Sequence, residues 1–210
     1  MMKEEDIKYN WYYFRSLTNQ LQDTEQYVDH TLNSEGEMCN ATTFSNEFAK
    51  ILMLAASEFE TIAKALCEEA HISMKWNSNI ISISKAILRT YPNIGNTEIL
   101  TPYSVMKPLK NWNIISTVTK KGKQKDVLVG LSWWQNHNDV KHNRKAAFMN
   151  ANLKNSVDAM GSLMIIELYL SQAALGNIDC ITEIGCSYFD CRYGLSPIMG
   201  NHGIYLPDFS

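Results

Sequence analysis

Apolar positions recur at intervals of three and four along most of this chain, and that spacing predicts helices. Residues 4–33 are polar, lack Pro and Gly, and carry Trp11, Phe14, Leu17, Leu21 and Val28 on one stripe; Asn33-Ser34-Glu35-Gly36 ends this long surface helix. Thr42 or Thr43 then caps a second helix, with Asn46 and Glu47 in its first turn. Its stripe is Phe44, Phe48, Ile51, Leu52, Ala55, Phe59, Ile62 and Leu66, without a gap. Glu58 falls at the edge of that stripe, where a carboxylate wants a cationic partner. A shorter helix spans Asn77–Tyr91 and is stopped by Pro92 and Gly95.

Residues 92–130 break the period. Pro92, Pro102, Pro108 and the turn-like Lys120-Lys121-Gly122-Lys123 make this an irregular insertion, in which Ile99, Val105 and Val127–Val129 give only a weak signal for short strands or a hairpin. Ser132 can cap a helix that carries Trp133–Arg144. From Asn152 to about Gln172 the chain is apolar on most sides, which predicts a central, covered helix; Gly161 and Ser162 would let a neighbour approach closely. Residues 177–210 mix Gly, Pro and aromatics without a helical period and predict an extended C-terminal tail lying on the domain. The expected fold is therefore all-α: a bundle of four to five helices over residues 1–176, interrupted by the 92–130 insertion and followed by the tail at 177–210.

Charge adds what the apolar pattern omits. Residues 1–70 hold 5 basic and 13 acidic side chains, a net of −8. Residues 71–150 hold 12 basic and 3 acidic, a net of +9, and residues 151–210 hold 2 and 6, a net of −4. The positive middle third either presents a field that attracts anions or is neutralised by the acidic helices packing against it. Five cysteines, at 39, 67, 180, 186 and 191, make no disulfide framework and predict free thiols in a reducing cytoplasm. Cys180, Cys186 and Cys191 with His202 have the ligand count for zinc, but gaps of five and four lack the CxxC knuckles of structural sites, so neither metal nor cofactor is expected. The acidic N-terminus is no secretory signal, and the apolar run near Met160–Leu170 is too short for a bilayer, so no membrane partner is expected.

Candidate chemistry gathers in Trp133–Arg144, WWQNHNDVKHNR. On a helix His137, Lys141 and Arg144 fall at i, i+4 and i+7, with Trp134 one turn before them; Asn138 and His142 form the adjacent column. Trp133, Val140 and Ala147 lie on a different, apolar face, so the expectation is a solvent-facing cationic ridge. Arg offers a fork to phosphate, Lys a point charge and His a proton near neutral pH. RNA cleavage without a metal needs a proton carrier and a group that stabilises charge on the phosphorus oxygens, and His142 with Arg144 or Lys141 is the minimal set. Asn138, His137 and Trp134 would contact the substrate, Glu58 would orient one cation, and the basic run Lys120–Lys125 would add phosphate contacts if it folds beside the ridge.

Trp133-Trp134, then Asn138-x-x-Lys141-His142-x-Arg144 leading into the apolar helix 152–172, together with the stripe helix ending Phe59-Glu60-Thr61-Ile62-Ala63-Lys64-Ala65-Leu66, resembles the HEPN superfamily over roughly residues 43–172. The resemblance implies an all-α, commonly dimeric bundle, metal-independent ribonuclease activity in toxin or phage-defence systems, or nucleotide and nucleic-acid binding alone. The chain departs from the family's ribonuclease signature, an Arg followed after four to six residues by a His, because here His142 precedes Arg144. The expected function is RNA or nucleotide binding, with or without cleavage, by a cytoplasmic homodimer. The rival reading is a non-catalytic helical module that dimerises or docks a partner protein as an adaptor or antitoxin-like subunit, with Lys141 and Arg144 buried against acidic residues.

Overall fold

The computed structural model describes residues 2–75, 77–119, 121–191 and 209. Helix α1 (Glu4–Asp23) buries Trp11, Phe14, Leu17 and Leu21 of the expected stripe together with Ile7, and Val28 lies beyond its end. It stops ten residues before the predicted end. Thr24 Oγ1 and His30 Nε2 meet at 3.0 Å, and Asp29 accepts from both the N–H and the hydroxyl of Thr31. These local side-chain bonds compete with the helical ladder and fold the chain back.

Helix α2 (Asn46–Glu69) is capped by Ser45, whose Oγ accepts from Phe48 N at 3.0 Å, two residues past the nearer predicted cap. It lies along α6 (Leu153–Leu175), which Asn152 caps and which is buried on nearly every side. These two helices are the spine of the molecule, and α1 packs on α6. Helix α3 (Ile80–Thr90) covers the far end of α2.

The insertion at 92–130 is ordered as sheet. Strands β1 (Ile99–Leu100) and β2 (Val105–Met106) pair antiparallel, and β5 (Asp190–Cys191) joins β1 on its other edge. Strands β3 (Asn113–Val118) and β4 (Gln124–Val129) form a regular antiparallel hairpin beside α3. Ile99 seats on Gly161 of α6: a Cβ at 161 would lie 2.7 Å from Ile99 Cδ1, so the small residue is what lets the sheet approach. The all-α expectation is corrected accordingly. Seven α-helices and two small antiparallel sheets, among the described residues, make a helix-dominated mixed α/β fold. The β-branched run at 113–129 pairs with itself because a tight turn at 119–123 returns the chain in register.

The start of the predicted tail is also structured. Helix α7 (Asp179–Ile184) packs on α1, and Tyr188 and Phe189 enter the core. Residues 192–208, including His202, lie outside the described residues, as does the side chain of Cys191. Cys180 is buried and Cys186 half-buried, and no group of three metal-ligating side chains forms among the described residues. No described helix is long and apolar enough to cross a membrane.

Candidate functional site

The site is built where β4 hands over to the next helix. Gly130 makes the turn at φ +83, and a Cβ there would stand 1.8 Å from Asn111 O, so only glycine lets the strand pass this close to the preceding loop. Leu131 is buried, and α4 (Ser132–His142) starts at once, with Leu131 rather than Ser132 in the capping position and no side-chain cap.

Two adjacent tryptophans then fix the rotation of α4. Trp133 is 1% exposed and packs edge-on against Phe59 of α2 at 5.2 Å, with Trp134 5.6 Å away. Trp112 joins the aromatic cluster, its ring 5.8 Å from that of Phe59. With both indoles inward, the buried face of α4 is Trp133, Trp134, His137 and Val140. The column expected to face solvent therefore enters the core at its first two members. His137 lies tilted beside Trp134, ring centres 5.4 Å apart, and its Nδ1 has no hydrogen-bond partner. Burial, aided by the charges of Lys141 and His142, lowers its pKa to about 4, so its ring is neutral near pH 7.

The second half of the segment stays outside. Lys141 and His142 are exposed and form no ion pair among the described residues. Asn143, with φ −143 and ψ 54, breaks the helix, and Arg144 opens the four-residue helix α5 (Arg144–Ala147). Arg144 consequently leaves the line of His137 and Lys141. Its Nη2 donates to Asn46 Oδ1 at 3.1 Å, and its guanidinium lies 5.3 Å over the Phe148 ring.

Asn138 faces a groove of about 260 Å³ between α4, the start of α3 and strand β4. Trp134 and Gln135 share its α4 wall, and Lys125 and Asp126 stand on the β4 wall. Asp126 is already engaged, by Lys85 Nζ and by Ser116 Oγ, and these bonds hold its pKa below the ordinary carboxylate value. Lys121, Lys123 and Lys125 are exposed on the hairpin and unpaired among the described residues. The basic run is visible in the sequence but its place is not, and the groove itself carries no sequence signature.

Glu58 is not part of this arrangement. It is half-buried, burial raises its pKa, and the ionisable groups that feel it are Tyr13 and Glu167 rather than any cation of α4. Glu167 is wholly buried on α6, with both carboxyl oxygens unpartnered; burial, then the charge of Glu58, holds its pKa far above the usual carboxylate range.

The charge segregation read from the sequence survives folding. Lys8, Lys50 and Lys64 pair with carboxylates on their own helices, Glu4, Glu47 and Glu60. Lys85 and Lys107 pair within the middle third, with Asp126 and Glu98. No ion pair among the described residues joins an acid of residues 1–70 to a base of 71–150. No protein-family model, curated protein or solved structure matches the chain.

Proposed function

We propose that the chain binds single-stranded RNA, holding its phosphates along the edge formed by the β3–β4 hairpin and the exposed end of α4, without cleaving it. The observation that carries this reading is the un-neutralised middle third. Lys121, Lys123, Lys125, Lys141 and Lys145 are exposed and unpaired among the described residues, and Lys125 lines one groove together with Gln135 and Asn138 of α4. Loose cations beside a groove suit a flexible polyanion. The HEPN-like resemblance agrees with RNA or nucleotide binding and with independence from metal. Binding is favoured over cleavage because His142 and Arg144 belong to two helices separated at Asn143, and Arg144 is held by Asn46 and Phe148.

The test is retention of a labelled single-stranded RNA of about 16 nucleotides by the pure protein in EDTA. A shifted, full-length RNA is expected, and Lys125→Glu with Lys141→Glu should abolish the shift. Cut RNA that stays intact with His142→Ala would establish the ribonuclease reading instead. An RNA neither shifted nor cut would remove both. The rival, a dimerising or partner-docking module, is favoured by one observation: Tyr9, Tyr12 and Tyr13 of α1 are 76%, 55% and 38% exposed. Light scattering separates the two readings, since a dimer lost with Tyr9→Ser and Tyr12→Ser, in a protein that ignores RNA, belongs to the rival alone.

A further inference from the structure

A second cavity, of about 410 Å³, shares no residue with the groove and is walled by His30, Tyr103, Tyr188 and Asp158, with apolar Leu32, Met38, Met106 and Val157 between them. Its polar atoms can be followed bond by bond. The single hydroxyl hydrogen of Thr24 goes to Leu21 O at 2.6 Å. Thr24 Oγ1 must then accept from His30 Nε2 at 3.0 Å, which puts the imidazole proton on Nε2. His30 is buried, which lowers its pKa and leaves Nδ1 as an acceptor. Tyr188 therefore donates its hydroxyl proton to Nδ1 at 2.8 Å; Glu25 Oε1, at 3.5 Å from the same nitrogen, is too far to replace it. Tyr103 likewise donates to Glu25 Oε1 at 2.9 Å.

Both phenols thus spend their protons away from the cavity and keep acceptor lone pairs. The hydroxyl of Thr101 is engaged with Ser104. Glu37 stands on the rim, exposed and without an ion pair among the described residues. Asp158 takes Lys154 Nζ on Oδ2 at 2.7 Å and has Oδ1 without a partner among the described residues. The lining holds many acceptors and one committed cation, with Glu37 and Asp158 against Lys154, and Glu25 stands behind Tyr103. An ammonium group already sits on this rim, that of Lys154, and a ligand cation would act on Asp158 in the same sense, opposing the burial that raises its pKa.

We propose that this cavity binds a small organic cation: an ammonium carried on a compact apolar body, the head against Asp158, Glu37 and the phenol oxygens, the body against Leu32, Met38, Met106 and Val157. Its size is that of a small-molecule site. The proposal stands apart from RNA binding and does not need it.

The experiment uses the full chain and three probes of one shape and different charge: benzylamine, benzyl alcohol and benzoate. Calorimetry should show one saturable site for benzylamine below about 10 mM, benzyl alcohol weaker by about tenfold or more, and no site for benzoate. Asp158→Asn should weaken benzylamine about tenfold and Glu37→Gln about threefold. Tyr188→Phe removes one acceptor oxygen and should also weaken it; if that variant fails to fold, the rim variant Glu37→Gln and the isosteric Asp158→Asn decide. Benzoate binding as tightly as benzylamine, benzylamine failing to saturate, or affinity unmoved by both carboxylate variants would each overturn the proposal.

Discussion

Helices α6 and α4 each bury an ionisable side chain without a partner, and they resolve that problem in opposite directions. Glu167 of α6 retains its proton and His137 of α4 gives its proton up, both because a buried charge is costly. The two helices diverge in their later turns. Around Glu167 the core continues, so its neutrality serves the scaffold. One turn beyond His137 the chain emerges as Lys141 and His142. A helix discharged at one end and cationic at the other is anchored by its first half and leaves its second half in solvent.

Removing the anchor has the largest expected effect. Trp133→Ala should cost about 3–5 kcal/mol of folding stability, whereas Trp133→Phe keeps the contact with Phe59 and forfeits no hydrogen bond, since Nε1 has none. Urea titration of both variants checks this, and equal losses would contradict the packing role. His137 comes next. Its pKa falls on folding from 6.5 to about 4, so its contribution is full above pH 6.5 and lost as pH drops towards 4, about 3 kcal/mol in all. The melting temperature of His137→Phe should therefore fall less steeply over that window than that of the parent chain.

Reversing charge at the exposed end is a smaller perturbation, confined to function. Lys141→Glu should lower RNA affinity about tenfold, or 1.4 kcal/mol, with unchanged melting. Near pH 4 the smallest expected effect is that of Glu167→Gln. A carboxyl whose pKa rises on folding loses stability as pH climbs from 4.5 towards its folded value, and the amide does not. The variant should match the parent near pH 4 and grow relatively more stable at higher pH; a gap that narrows instead would place a hidden cation beside Glu167.

The same two helices show what sequence could reveal. The stripe of α2 and the covered, central α6 were legible because steps of three and four over many turns leave one rotation possible. The rotation of α4 was not. Trp133 and Trp134 are 100° apart on a short helix, so either can lead the buried face, and taking Trp133 alone turned His137 outward. The break at Asn143 had no Gly or Pro to announce it, and it separated Arg144 from its expected column. The hairpin was faint because β3 and the start of β4 are mostly exposed on both faces, which erases the alternation that marks a half-buried strand. Residues 24–33 end α1 through side-chain hydrogen bonds, which apolar spacing does not register. The cluster of cations was visible in the sequence, and the groove that gathers Asn138 with Lys125 required the fold.

The salt dependence of RNA affinity reports whether these lysines meet phosphates. If hairpin and α4 lysines release counterions from the phosphates, the logarithm of the association constant should fall linearly with the logarithm of salt concentration, with a slope that flattens by about 0.7 for each lysine removed from Lys125 and Lys141. RNA affinity that is absent at low salt, or indifferent to salt and to both substitutions, would contradict the account.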